Sequence, residues 1–149
     1  MTAYRTIIVD TDGSDRSYRV VDHAAELAHA THARLLIICA RHHIDARELG
    51  ADLDRLGPDA YQLRGTTPTE AILRTAHQHA LAHGATDIET HILSEPAPHA
   101  LLALAAATGA DLIVTADPHR PPLLARLLTT PPIELARKAH CDILFTTAR

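Results

Sequence analysis

Tyr4–Thr31, YRTIIVDTDGSDRSYRVVDHAAELAHAT, decides the fold. Ile7-Ile8-Val9 is a continuous β-branched run, the pattern of a strand buried on both faces. Thr11-Asp12-Gly13-Ser14 follows it. Gly13 can adopt a backbone conformation that other residues resist. Ser14 is a good N-cap, with Asp15 in the first turn of the helix behind it. Val21, Ala24, Ala25 and Ala28 then fall at i, i+3, i+4 and i+7, one core-facing stripe of a helix running to about Thr31.

The same alternation continues down the chain. Ala33–Ala40, ARLLIICA, is apolar throughout and reads as the second strand. Arg41–Thr66 shows no clean period and holds Gly50, Gly57, Pro58 and Gly65, so it reads as a long surface connection with a helical turn around Ala46–Leu56. Thr67-Pro68-Thr69-Glu70 is a capping box with proline at the first helical position. The helix it opens is predicted to end at Gly84. Asp87–Leu93 alternates and is more polar, as an edge strand would be. Pro96 and Pro98 open a third helix with Leu101, Leu104, Ala105 and Thr108 inward, stopped by Gly109. Asp111–Ala116 is the fourth strand. Thr130 caps a helix starting at Pro131-Pro132 and reaching about His140, and Cys141–Thr147 is the last strand.

Strands alternating with helices imply right-handed crossovers and a parallel, doubly wound sheet. Five strands and four helices use nearly the whole chain. Residues 1–149 are therefore expected to form one α/β domain, an open parallel five-stranded sheet with helices on both faces, without internal repeats.

Composition narrows the function. The 149 residues are 46% hydrophobic and 21% charged, ordinary for a globular protein. A net charge of −4 gives no electrostatic reason to expect nucleic acid or an anionic membrane. With aromatics at 3%, a base-stacking platform is not expected either. The opening MTAYRTIIVD lacks the basic-then-apolar pattern of a signal peptide, and no run approaches the ~20 apolar residues that span a bilayer. Cys39 and Cys141 each lie in an apolar strand-like run, which points to buried, reduced thiols and a cytoplasmic protein.

Three segments resemble the universal stress protein family. Ile7-Ile8-Val9-Asp10-Thr11-Asp12-Gly13-Ser14 is similar to that family's first strand and Asp-Gly-Ser turn. Thr108-Gly109-Ala110-Asp111-Leu112-Ile113-Val114 is similar to its approach to strand four. Ala136-Arg137-Lys138-Ala139-His140-Cys141-Asp142-Ile143-Leu144 is similar to its C-terminal helix and strand. The resemblance covers essentially the whole chain. It implies a Rossmann-like sheet of the adenine nucleotide alpha hydrolase type, with strand order 3-2-1-4-5. It also implies a homodimer paired through the last strand, Cys141 to Thr147. Cys39 and Cys141 would not be neighbours in such a sheet, which argues against an intrachain disulfide.

One branch of the family binds ATP through a loop of pattern Gly, two residues, Gly, nine residues, Gly, then Ser or Thr. The glycines let backbone N–H groups close around phosphates. The matching positions here hold Ala116, His119, Thr129 and Thr130, and only Thr130 keeps the pattern. Gly109 is the last glycine in the chain. Pro118, Pro121, Pro122, Pro131 and Pro132 further remove N–H donors from the segment. His119, Arg120 and Arg126 could still attract an anion, since arginine is a capable phosphate partner. Asp12, with Gly13 beside it, stands where the family meets ribose and base. The strand-two end at Ala40 could meet an adenine through its backbone.

Other constellations have simpler readings. Among twelve histidines, His79 and His83 are spaced i, i+4 and His42-His43 are adjacent, but no acidic or cysteine ligand sits at a metal-binding spacing. Solvated helix histidines are the expectation, and no metal. No Gly-x-Ser-x-Gly elbow exists. Cys141, expected in the core, lacks the open electropositive site of a nucleophile. Asp10 and Asp12 could form a carboxylate pair at the sheet's carboxyl edge, with nothing elsewhere to complete a metal–phosphate site. The expected function is a non-enzymatic, stress-associated binding or interaction module lacking the glycine phosphate loop, with no cofactor and unknown protein partners. The alternative is an adenine-nucleotide sensor, for ATP or AMP, using Asp12, the strand-two end and the arginines of residues 117–130. A hydrolase would need a base and a metal site that the sequence does not display.

Overall fold

The structure, a computed structural model, describes residues 4–41, 68–94, 98–116 and 137–147. It contains β1 (Thr6–Asp10), α1 (Asp15–Thr31), β2 (Arg34–Ala40), α2 (Pro68–Ala82), β3 (Ile88–Leu93), α3 (Pro98–Thr108), β4 (Leu112–Ala116) and β5 (Asp142–Thr146). The strands form one parallel sheet in the order β3-β2-β1-β4-β5. The fold class and strand order are those expected. The predicted connection through residue 66 lies outside the described residues except for Arg41. The helix predicted from Pro131 is described only at Arg137 and Lys138, which are helical, and it ends there, before His140.

The continuous apolar runs have a direct cause. In a strand, successive side chains point to opposite faces. Ile7, Val9, Leu35, Ile37, Leu112 and Val114 enter one core with α1 and α2, whereas Ile8, Leu36, Ile38 and Ile113 enter a second core with Leu101 and Ala105 of α3. Both faces of the three inner strands are covered, so only their end residues, such as Arg34 and Asp10, reach solvent in part. The polar β3 is an edge, and of its residues Ile88 and Leu93 pack against the cores while Ile92 is exposed. β5 is the other edge.

Local signals behave as their chemistry dictates. The Ser14 side chain accepts from the Ser17 N–H, a true N-cap. Val21, Ala24, Ala25 and Ala28 are all buried. α1 ends at His32, which takes the left-handed conformation (φ 57°) more usual for glycine. One tie was not anticipated. The Asp111 carboxylate accepts the backbone N–H groups of Arg5 (2.9 Å) and Thr6 (3.1 Å), while its own N–H reaches the Thr6 carbonyl at 3.0 Å. Its carbonyl accepts from Asp142 N–H at 3.2 Å. This one residue aligns the starts of β1, β4 and β5.

Candidate functional site

In an open parallel sheet, ligands bind outside the carboxyl ends of the strands, where the strand order reverses. Here the order reverses at β1, which has β2 on one side and β4 on the other. Asp12 and Gly13 leave the end of β1, Ala40 ends β2 and Ala116 ends β4, so the structure brings these four predicted residues to one edge. His119, Arg120, Arg126, Thr129 and Thr130 lie outside the described residues.

The turn from β1 into α1 is closed by its own hydrogen bonds. Thr11 N–H donates to the Ile38 carbonyl at 2.9 Å, anchoring the turn to β2. Gly13 N–H donates to Thr11 Oγ1 (3.2 Å), Ser14 N–H to Asp12 Oδ1 (2.9 Å) and Asp12 N–H to Ser17 Oγ (3.3 Å). The Thr11 and Ser17 hydroxyls meet at 2.8 Å. Every N–H from Thr11 to Ser14 is therefore engaged inside the protein. The turn is not a backbone phosphate cradle; what it offers outward is the Asp12 carboxylate. Gly13 has a packing duty instead of a ligand duty. Its φ is +86°, and a Cβ there would meet Ile72 of α2 at 2.8 Å. The roles of Thr11 and Ser17 escaped the sequence reading; for Thr11, a hydroxyl just past an apolar strand was the available signal.

The two carboxyls of this edge are driven apart by their surroundings. Partial burial acts to raise the pKa of Asp12, but hydrogen bonds from Ser14 and Ser17 outweigh it and hold the group below the usual carboxylate range. Asp10 goes the other way. Burial raises it, the Thr115 side chain opposes that, and the negative charge of Asp12 adds to the rise. Asp10 pairs with Ile38 across β1 and β2, and alternation puts it on the face of Ile8 and Ile113. Its Oδ1 is shielded from solvent and has no hydrogen-bond partner among the described residues.

With this geometry in place, the relatives are informative. A profile of the Universal stress protein family matches residues 3–146. The chain belongs to this family. It is 38% identical over 146 residues to universal stress protein Rv1636 of Mycobacterium tuberculosis, covering 97% of each chain. A universal stress protein solved in complex with cAMP is 35% identical, with a TM-score of 0.76 and 99% of both chains covered. A family member from Burkholderia pseudomallei is 25% identical, with a TM-score of 0.64 over 97% of both.

The remaining groups of this universal stress protein are arranged for structure. Cys39 and Cys141 are free thiols, kept apart by β1 and β4 and packed on opposite faces of the sheet. Burial, with Asp12 and Asp10 nearby, pushes Cys39 up to about 11. Cys141 is only half-buried, not fully in the core as expected, and stands one residue before β5. Burial, Asp142 and Asp111 raise it, the opposite of nucleophile activation. His79 and His83 do share a helix face, but they are not simply solvated. His79 Nδ1 lies 2.9 Å from Asp22 Oδ1, and His83 Nδ1 lies 3.1 Å from Glu26 Oε1. Tyr18 stacks on His79 with ring centroids 4.9 Å apart. These contacts pin α1 to α2. Among the described residues, no group of three or more potential ligands is arranged to hold a metal ion. A groove of about 310 Å³ runs between α2 and β3, lined by Glu70, Leu73, Arg74, His77, Thr90 and Ile92, with β2 between it and β1. No helix among the described residues is long and apolar enough to cross a membrane.

Proposed function

We propose that this universal stress protein is a non-catalytic sensor of adenine mononucleotides, which it binds at the carboxyl edge of β1, β2 and β4. The observation that carries the reading is the full-length similarity to a family member in complex with cAMP, a ligand with a single phosphate. The glycine pattern of the family's ATP loop is absent from residues 116–130, and a ligand with one phosphate asks for fewer such donors than a triphosphate. Asp12, held ionised at the edge, suits a ribose hydroxyl, and the backbone at Ala40 suits an adenine edge. Arg120 and Arg126 are the sequence's candidates for the phosphate. Nothing in this assignment requires turnover, and the raised thiols of Cys39 and Cys141 fit a binding role better than a covalent one.

The reading extends to assembly and location. β5 is an edge strand whose Leu144 and Phe145 are 38% and 37% exposed, which supports a homodimer paired strand to strand. Two unpaired cysteines support the cytoplasm.

Thermal unfolding with cAMP, AMP, ADP and ATP tests the reading. A ligand at ~100 times its Kd adds about 2.7 kcal/mol to the folded state, a rise of several degrees for a domain of this size. The expected result is a rise with cAMP and AMP that exceeds the rise with ATP and that shrinks in Asp12→Ala. No rise with any nucleotide would favour the protein-interaction module instead.

A further inference from the structure

Among the described residues, the shielded Oδ1 of Asp10 has no hydrogen-bond partner. A carboxyl at this place is itself unusual chemistry. Its neighbours on the same face are Ile8, Ile38 and Ile113, and α3 lays Leu101 and Ala105 over that face. One more residue along each strand, Asp10 of β1 and the buried Thr115 of β4 stand side by side across the switch point, because β1 and β4 run in register from Ile7 and Leu112 to Val9 and Val114. Thr115 is the last residue but one of β4, so the pair stands at the carboxyl edge of the sheet. A buried polar atom without a partner requires an explanation. Here the atom lies at the crevice where the fold places ligands.

We infer that Asp10 is a ligand-binding residue that makes anion binding proton-linked: its carboxyl takes up a proton from solvent as a phosphate enters the crevice, keeps it, and donates a hydrogen bond from the Oδ1 hydroxyl to a phosphate oxygen. This rests on the nucleotide site proposed above and adds to it the group that senses the ligand's charge. An ionised Asp10 beside a phosphate would set two negative charges against each other in a poorly hydrated place, with the ionised Asp12 adding a third. Protonation removes one charge and turns an unpaired acceptor into a donor. The surroundings divide, with burial, the largest influence, on the side of the neutral form. Burial and Asp12 both favour it. From β2 the nearby titratable group is Cys39, a thiol that stays uncharged. From β4 the Thr115 hydroxyl, together with a backbone hydrogen bond, works the other way and favours the ionised form. Cys141, on the same face, stands at the opposite end of the sheet, before the first residue of β5.

Isothermal titration calorimetry with cAMP tests this, since its phosphodiester stays singly charged across the working range and contributes no proton of its own. Titrations of the full chain in buffers of different ionisation enthalpy, from mildly acidic to mildly alkaline pH, count the protons taken up. Wild-type protein should take up protons on binding and bind more weakly as the pH rises. Asp10→Asn, which presents a permanent neutral donor, should keep wild-type affinity at acidic pH and hold it at alkaline pH, with the extra uptake gone. Asp10→Ala should lose about tenfold in affinity at acidic pH. Equal proton uptake in wild type and Asp10→Asn, or full affinity in Asp10→Ala, would overturn the role of Asp10 and leave the nucleotide site standing. Absence of binding by folded wild-type protein would overturn the site itself, and this inference with it.

Discussion

Gly13 and Ile72 meet so closely that a single added methyl group at residue 13 would lie 2.8 Å from both Cγ1 and Cδ1 of the isoleucine. The β1–α1 turn and helix α2 are therefore packed backbone to side chain. Gly13→Ala pays twice: once for a left-handed φ of +86° and once for the overlap. The expected loss is roughly 2–4 kcal/mol in denaturant unfolding. Shortening Ile72 to Ala in the same chain should recover the overlap part alone, so a double-mutant cycle should show favourable coupling. Strictly additive losses would mean that α2 does not press on the turn.

Asp111 should matter to stability without touching any ligand. Asp111→Ala strips the acceptor from the N–H groups of Arg5 and Thr6. The cost expected for charge-assisted bonds at a partly exposed site is about 1–3 kcal/mol. Asp111→Asn keeps one oxygen and should lose less. Hydrogen exchange should locate the damage at the start of β1; unchanged protection of Arg5 and Thr6 would contradict this account.

The two edge carboxyls predict opposite pH profiles. Asp10 is raised in the folded state, chiefly by burial, so its contribution to stability is complete below the unfolded value and is lost as pH rises through the folded value. Asp10→Asn should therefore gain on wild type as the pH climbs through that window. Asp12 is lowered in the folded state: its burial is outweighed by bonds from Ser14 and Ser17. Its contribution is present above the unfolded value and is lost as pH falls through the folded one, so Asp12→Asn should be weaker than wild type at neutral pH and converge with it in acid. Urea unfolding midpoints over a pH series report both, and parallel profiles for the two variants would refute the split.

The edge at β5 predicts an assembly state. If two copies pair there, Leu144→Lys should put like charges into the strand pair and shift the protein to monomer in light scattering, with the fold retained in far-UV dichroism. A wild-type monomer at high concentration, or a variant that still dimerises, would move the interface elsewhere.

Much of the architecture is visible in the order of residues, because its causes are local. Ile7-Ile8-Val9 and Leu35-Leu36-Ile37-Ile38 announce strands covered on both sides, and the Ser14 cap, the α1 stripe and the glycines at 84 and 109 mark helix limits. Asp12 and Ala40 at the carboxyl edge follow from their places at the ends of parallel strands. Asp111 was less visible: as a residue leading into a strand it looks like any other, and its three backbone partners lie over 100 residues away or on another strand. The histidines of α2 show the same limit. Nothing near His79 in the chain suggests Asp22, since the pairing is 57 residues long and exists only because α1 and α2 lie side by side.

Periodicity and capping thus determined the elements of this protein and their parallel arrangement, because those follow from side-chain alternation, helix pitch and chain connectivity. Packing decided the rest. Asp10 and Asp12 are two residues apart and chemically identical, yet one lies among isoleucines with an oxygen that has no partner among the described residues, and the other sits in a web of hydroxyl and amide donors. Solvation and hydrogen bonding, not residue type, set their charges. Both depend on what neighbouring strands and helices bring to within a few ångströms.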